Sequence, residues 1–551
     1  MEKQLTPSAI FNRIKAHLDR QTLLWSFVFT YAFGLTAHAY GFLNFLVNHD
    51  SLTDFAYNDS YWTIKIKYGR FLKPVFDFFL GKLRGYPWLS GLIGLLWIAL
   101  SVYFVVRILG FKKKGHIAVI AGIMSTNIVV SSLAATYMQD FSGDLLALLF
   151  AVFACYLWYV TTENIKTVKK KQLIPASFVI AFCLFLSLGI YQAYLFVFIA
   201  LVLIVSILKL ITNPEKVKEV WFNGIRAAAD TLIGGGIYFI ILKLITLITG
   251  IELASDYNSV SSMWTNTESI FSRIYNTLRS FIFYTFADNE YVCPRAVTIG
   301  INAALALLCI VSFFRTLKHT KSSGKTKAAF FSIVLFVVAL PFVMCGTRLL
   351  NSSVHQLMVY ACFFTYILYF SVTEAESEIT HNSTLKKITC VLLCCFIFIN
   401  IQTANAGYVK KSTEQQSTLS VMTRVLDKIE ATDGYKPGET PVVFIGVPGD
   451  YTQEYEEFSN FESSVGLHLH NPISYYYCYS PYFKLILKTN VNVAGMAVAV
   501  KMKSTDEVKA MPVYPSNGSI KVIDGTVVVK FADSESETAA SSNDTDSNNS
   551  N

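Results

Sequence analysis

The chain has 551 residues, 53% of them hydrophobic and only 15% charged, with a net charge of +8 and a mean hydropathy of +0.44. Uncharged runs of about 20 residues recur along it, a pattern that excludes a soluble enzyme and fits a chain that crosses a membrane several times. The positive charge is no nucleic-acid signature, because most Lys and Arg fall in short loops between apolar runs.

Residues 1–22 are polar and basic, and no small-residue cleavage site follows the first apolar run, so that run reads as a retained span. Eleven spans are predicted, over 23–47, 87–109, 117–136, 144–161, 173–190, 193–212, 227–250, 296–314, 328–346, 354–371 and 387–405. The stretch 173–212 is too long for one helix and is divided at its polar break, Gly189 to Tyr194. An N-terminus in the cytoplasm places Lys112–Lys114, Lys169–Lys171, Lys216, Lys218 and the Arg315–Lys327 loop inside, as the positive-inside rule requires. The opposite short loops, 137–143 and 347–353, carry a single basic residue, Arg348. Gly234–Gly236 lies within a span and predicts close helix packing.

An odd number of spans puts the C-terminal part outside. The predicted division is a cytoplasmic N-terminus (1–22), a transmembrane domain (23–405), an extracytoplasmic α/β module (406–530) and a disordered Ser/Asn/Asp-rich tail (531–551). Within the module, 415–429 has helical periodicity, and 441–447, 491–500 and 520–531 read as strands.

Chemistry concentrates in the outer loops. Asp50 stands just beyond the first span, with Asp54 and Asp59 after it. A carboxylate there could take the proton of an acceptor hydroxyl at the membrane surface. The plainer reading is loop solvation or helix capping. The segment 61–84 reads as an interfacial helix with Trp62, Phe76 and Phe79 toward lipid, and with Lys65, Lys67, Arg70, Lys73, Lys82 and Arg84 reaching headgroups. Arg70 and Lys73 are its candidates for a donor phosphate, and Arg348 could join them or be a snorkelling helix-end residue. Asp140 is a candidate site acid, whereas Asp144 reads as a helix N-cap. The pair also has the donor type for a divalent cation such as Mg or Mn, without committing the chain to a cofactor. Tyr191 and Gln192 interrupt an apolar stretch and could bind sugar hydroxyls or a neighbouring helix. No phosphate loop, Rossmann fingerprint, nucleophile elbow or zinc pattern occurs. No cytoplasmic stretch is large enough for a nucleotide sugar, so a lipid-linked donor outside fits better.

Three segments carry a resemblance: the acidic first loop ending in Gly69-Arg70-Phe71-Leu72, Tyr137 through Asp144, and Leu186 through Gln192. Over roughly 20–400 the chain resembles the bacterial integral-membrane glucosyltransferases of the serotype-converting type. The resemblance implies a GT-C-like fold in the bacterial plasma membrane, a polyprenyl-phosphate-linked glucose donor (N-acetylglucosamine as a variant), and inverting transfer to a cell-envelope polysaccharide or teichoic acid. It also implies an Asp general base, Asp50 first, supported by Asp54 or Asp140. The tight pair of adjacent acids common in that family is replaced here by Asn48-His49-Asp50. Competing classes are a flippase for lipid-linked glycans and a polysaccharide polymerase or ligase. A flippase would be expected to hold ionisable groups at the bilayer midplane.

Overall fold

The computed structural model describes residues 19–56, 61–80, 86–163, 170–255, 260, 263, 266–287, 291–319, 326–448 and 472–533. Asp59, Lys82, Arg84 and residues 534–551 of the expected tail lie outside the described residues, as does the side chain of Asp54.

Eight described helices are long and apolar enough to cross a membrane: Pro87–Ile108, Lys114–Thr136, Phe141–Thr162, Gln192–Thr212, Pro214–Thr249, Arg295–His319, Lys327–Met344 and Thr384–Glu430. All eight fall on predicted spans. The other three predicted spans fall on helices that do not meet that standard. Arg20–Leu43 buries Thr22, Ser26, Thr30 and His38 against its neighbours, which lowers its apolarity. In Lys170–Ile190 only Ile174–Ile190 is apolar. The span at 354–371 begins as 3-10 turns, and its helix, Phe364–Thr380, carries buried Glu374 and Glu376. Those acids are held by Lys386 at 3.1 Å and Arg315 at 3.2 Å, respectively.

One polar break within the helical body is satisfied locally. Asn127 interrupts the second long span. Its side chain accepts from Val130 N and donates to the Ile123 and Met124 carbonyls. Small residues let helices approach. A Cβ at Gly94 would meet the Phe141 ring, and one at Gly234 would meet the Ala181 carbonyl at 2.7 Å. Gly235 and Gly236 face open space, so only the first of the three glycines does the packing expected of them.

The last long helix, Thr384–Glu430, runs 47 residues without a break. At 1.5 Å per residue it is about 70 Å long, more than twice the hydrocarbon thickness. The boundary expected at 405 therefore lies inside one helix. Its far end packs Val421, Met422, Val425 and Ile429 on one face of a four-stranded sheet, against Val442, Phe444, Val527 and Val529. The sheet comprises β1 (Pro441–Ile445), β2 (Asn492–Val493), β3 (Ile520–Ile523) and β4 (Thr526–Lys530), in the order β2-β1-β4-β3. β1 is parallel to β2 and β4, and β3 pairs antiparallel with β4. Asp524 and Gly525 have φ of 49° and 70°, as a two-residue hairpin turn requires. The expected strand at 491–500 shrinks to β2 followed by a helix, Met496–Lys503. The apolar residues that matter there are Ala499 and Met502, spaced to cover the second sheet face with Val443 and Val528.

Candidate active site

The first outer segment is fixed from both sides. The Asn48 side chain accepts from Ser51 N at 2.9 Å while Ser51 Oγ accepts from Asn48 N at 2.7 Å, a reciprocal cap that starts the helix His49–Ala56. Gln415 of the long helix clamps the connector before it, accepting from Val47 N and donating to the Phe45 carbonyl. Val47 and Leu52 then pack into the apolar cluster under the sheet. Asp50 is left in the first helical turn, its side chain 34% exposed and 3.4 Å from His49 Nε2. It accepts a hydrogen bond from the Tyr137 hydroxyl. Burial, followed by the Asp50 charge, pushes the Tyr137 hydroxyl well above the ordinary tyrosine range.

The expected interfacial helix is two short helices, Tyr61–Lys67 and Lys73–Phe79, joined by a sharp turn. Trp62, Phe78 and Phe79 are exposed, as a lipid-facing edge requires. Lys65 and Lys73 do not reach outward: both are buried. Lys65 Nζ donates to Asp140 Oδ2 at 2.6 Å. Lys73 Nζ lies 3.0 Å from the same oxygen and 2.6 Å from Asp144 Oδ1. A buried ammonium needs a buried carboxylate, and Asp140 and Asp144 supply one each from the start of the next long helix. Asp144 therefore answers Lys73 and is not the cap expected of it. Burial raises the Asp140 carboxyl, but Lys65 and Lys73 outweigh it and hold the group below the ordinary range.

Beneath this cluster the Tyr61 hydroxyl donates to Asp77 and lies 3.3 Å from Asp140 Oδ1. Burial, then the Asp140 charge, pushes Asp77 up to about 6 against the pull of Tyr61, Lys73 and Lys65. Sequence reasoning gives Tyr61, Asp77 and Tyr137 no individual role in the site. The signal for Asp77 was its place four residues after Lys73, on the same helix face.

The turn between the two short helices presents Arg70. Gly69 adopts φ +73°, and a side chain there would collide with Tyr238 and Val260. Tyr238 OH donates to the Gly69 carbonyl at 3.1 Å, and Gln192 Nε2 donates to the Tyr68 carbonyl at 3.1 Å and to Tyr238 OH at 3.0 Å. Leu72 N donates to the Gly189 carbonyl at 2.9 Å. Gln192 is thus a clamp on the arginine turn. The Arg70 guanidinium lies over the Tyr191 ring, 4.7 Å from its centroid. Its Nε is buried and without a hydrogen-bond partner, and among the described residues no carboxylate forms an ion pair with it. The three segments singled out in the sequence therefore meet at one place.

Arg348, expected beside the donor phosphate, is held in a bidentate pair with Glu268, at 2.9 and 3.0 Å, and also donates to the Asn351 carbonyl. Among the described residues no group of three or more His, Cys, Asp or Glu could hold a metal ion together.

The family model for Glucosyl transferase GtrII matches residues 39–366, which takes in Asp50, Arg70, Asp140 and Gln192. The chain belongs to the GtrII glucosyl transferase family. No curated protein and no solved structure matches it. Membership makes the chain a glycosyltransferase, as the resemblance in the sequence implied, and the GtrII match covers the charge cluster and the arginine turn while stopping short of the sheet.

Proposed function

We propose that this GtrII-family chain transfers a single sugar, glucose by the family's name, from a polyprenyl-phosphate donor to a cell-envelope polysaccharide on the outer side of the membrane. Arg70 carries the proposal. Lys65 and Lys73 are already neutralised by Asp140 and Asp144. Arg70 keeps a guanidinium with unspent donors, held over Tyr191. A planar, permanently charged fork suits a phosphodiester.

In this reading Asp50 is the base. Among the acids of the site it is partly exposed, whereas Asp140 and Asp144 are buried and occupied by ammonium groups. The acceptor hydroxyl attacks C1 of the sugar from the face opposite the phosphate. The C1–O(phosphate) bond breaks, and the polyprenyl phosphate leaves with the bonding pair, held by Arg70. The hydroxyl proton goes to Asp50, and the anomeric configuration inverts. Lys65, Lys73, Asp140 and Asp144 hold the loop in place, and Gln192 with Tyr238 fixes the arginine turn. The C-terminal sheet and the first outer loop share one side of the membrane in this proposal, because Val47 and Leu52 pack into the sheet's own core.

The test is transfer by the purified protein in lipid nanodiscs. It is given undecaprenyl-phosphate [14C]glucose and envelope polysaccharide extracted from source cells lacking the enzyme. Label in the polymer with no change in chain length is expected. Folded protein that moves no label would overturn the proposal.

A further inference from the structure

The sheet region contributes a pair of aromatic rings that nothing in the proposed chemistry uses. Tyr475 is extended, and Tyr476–Cys478 forms a 3-10 turn. Tyr476 turns inward, donates to the Ala494 carbonyl at 2.7 Å and packs on Tyr479. Tyr475, packed against the apolar cluster under the sheet, stacks on the exposed Tyr477, centroids 5.4 Å apart and planes within 7°. The Tyr475 ring meets the His49 ring edge-on at 5.2 Å, and the Asp50 carboxylate is close enough for its charge to act on Tyr477. Tyr477 is 48% exposed. An open, rigidly backed aromatic face thus stands beside the proposed base, at the seam between the first outer loop and the sheet region.

We propose that Tyr477, backed by Tyr475, is the acceptor subsite: it stacks against the apolar face of a pyranose ring of the polysaccharide and so presents a hydroxyl to Asp50. The ligand class follows from the chemistry. A sugar ring has one face of C–H groups, which carry partial positive charge and suit the negative face of an aromatic ring. Its rim of hydroxyls suits a neighbouring carboxylate. Sites of this mixed character gather where two structural units meet. The donor's lipid and phosphate are served by Arg70 and the exposed edge at Trp62, Phe78 and Phe79, which leaves the tyrosine face to the other substrate. The subsite rests on the glycosyltransferase reading above and deepens it.

The experiment uses the full-length protein in nanodiscs, with the labelled donor and the extracted polysaccharide titrated separately. Tyr477→Leu keeps bulk without a ring face, and Tyr477→Phe keeps the face without the hydroxyl. Tyr477→Leu should raise the KM for polysaccharide at least tenfold while leaving the KM for donor within twofold, and Tyr477→Phe should restore most of the acceptor KM. Thermal unfolding of each variant confirms that it is folded. An unchanged acceptor KM in folded Tyr477→Leu, with wild type transferring normally, overturns the subsite and leaves the glycosyltransferase reading intact. An equal rise in both KM values also overturns it, since that marks a merely structural residue. Absence of transfer by wild type is a failure of the glycosyltransferase reading itself.

Discussion

Lys73 Nζ lies 2.6 Å from Asp144 Oδ1 with both side chains buried, joining the first outer segment to the start of the helix Phe141–Glu163. That contact turns a run of basic residues that looks like a headgroup-binding surface into an internal strut. Arg70, unlike Lys65 and Lys73, keeps donors to spare.

Removing one partner of such a pair strands the other charge. Lys73→Met should destabilise the protein by about 3–5 kcal/mol. Lys73→Met combined with Asp144→Asn should recover part of that loss, because the carboxylate nearest Met is then neutral and Asp140 keeps Lys65 as its partner. Thermal unfolding in one detergent checks both. Equal melting of wild type and the single variant would contradict the strut.

Arg70→Lys keeps the charge but loses the planar fork and its stacking on Tyr191. The KM for the lipid donor should rise about tenfold, equal to about 1.4 kcal/mol. The KM for polysaccharide should stay as it was. A donor KM unchanged in Arg70→Lys would remove Arg70 from the phosphate.

Arg348 and Glu268 should behave as one structural unit. Arg348→Ala, Glu268→Ala and the double variant should lose similar stability, with no extra loss in the double, and none should shift the donor KM. A donor KM shift confined to Arg348→Ala would restore the role its position in a short outer loop suggested.

Asp77 gives a pH prediction. Its carboxyl is raised to about 6 in the folded protein, chiefly by burial and next by Asp140, with Tyr61, Lys73 and Lys65 opposing. The folded state therefore favours the protonated form. The resulting stability is fully present below the ordinary carboxyl value and is lost as the pH rises through about 6. Asp77→Asn, which cannot ionise, should gain on wild type in melting temperature between about pH 4 and about pH 7. A constant difference across that window would contradict the shifted carboxyl.

Much of this was legible in the sequence, for reasons that differ from residue to residue. Apolar runs report span positions directly, so eight predicted spans reappear as membrane-length helices. Arg20–Leu43 and Phe364–Thr380 carry buried polar residues that only tertiary partners explain. Gly69, Arg70 and Gln192 stand out as motifs, but their hydrogen bonds through Tyr238 are not visible, because periodicity says nothing about contacts between residues 46 or 169 positions apart. The sequence has Lys65 and Lys73 reaching headgroups, Lys73 as a phosphate candidate, because their partners Asp140 and Asp144 are distant in the chain. The unbroken 47-residue helix was read as a span and a separate helix, since polarity changes along it while its backbone does not. Asp50 is legible as an acid just beyond the first span, but the Asn48–Ser51 cap that sets it in a helical first turn and its bond from Tyr137 lie beyond sequence reading.

The most direct measurement compares wild type with Asp50→Asn, both folded and inserted in nanodiscs, for transfer of [14C]glucose from undecaprenyl phosphate to extracted envelope polysaccharide. Loss of a general base lowers the rate about 10²–10⁴-fold, with donor KM little changed, and that is the expected result. Transfer by Asp50→Asn at the wild-type rate would contradict Asp50 as the base.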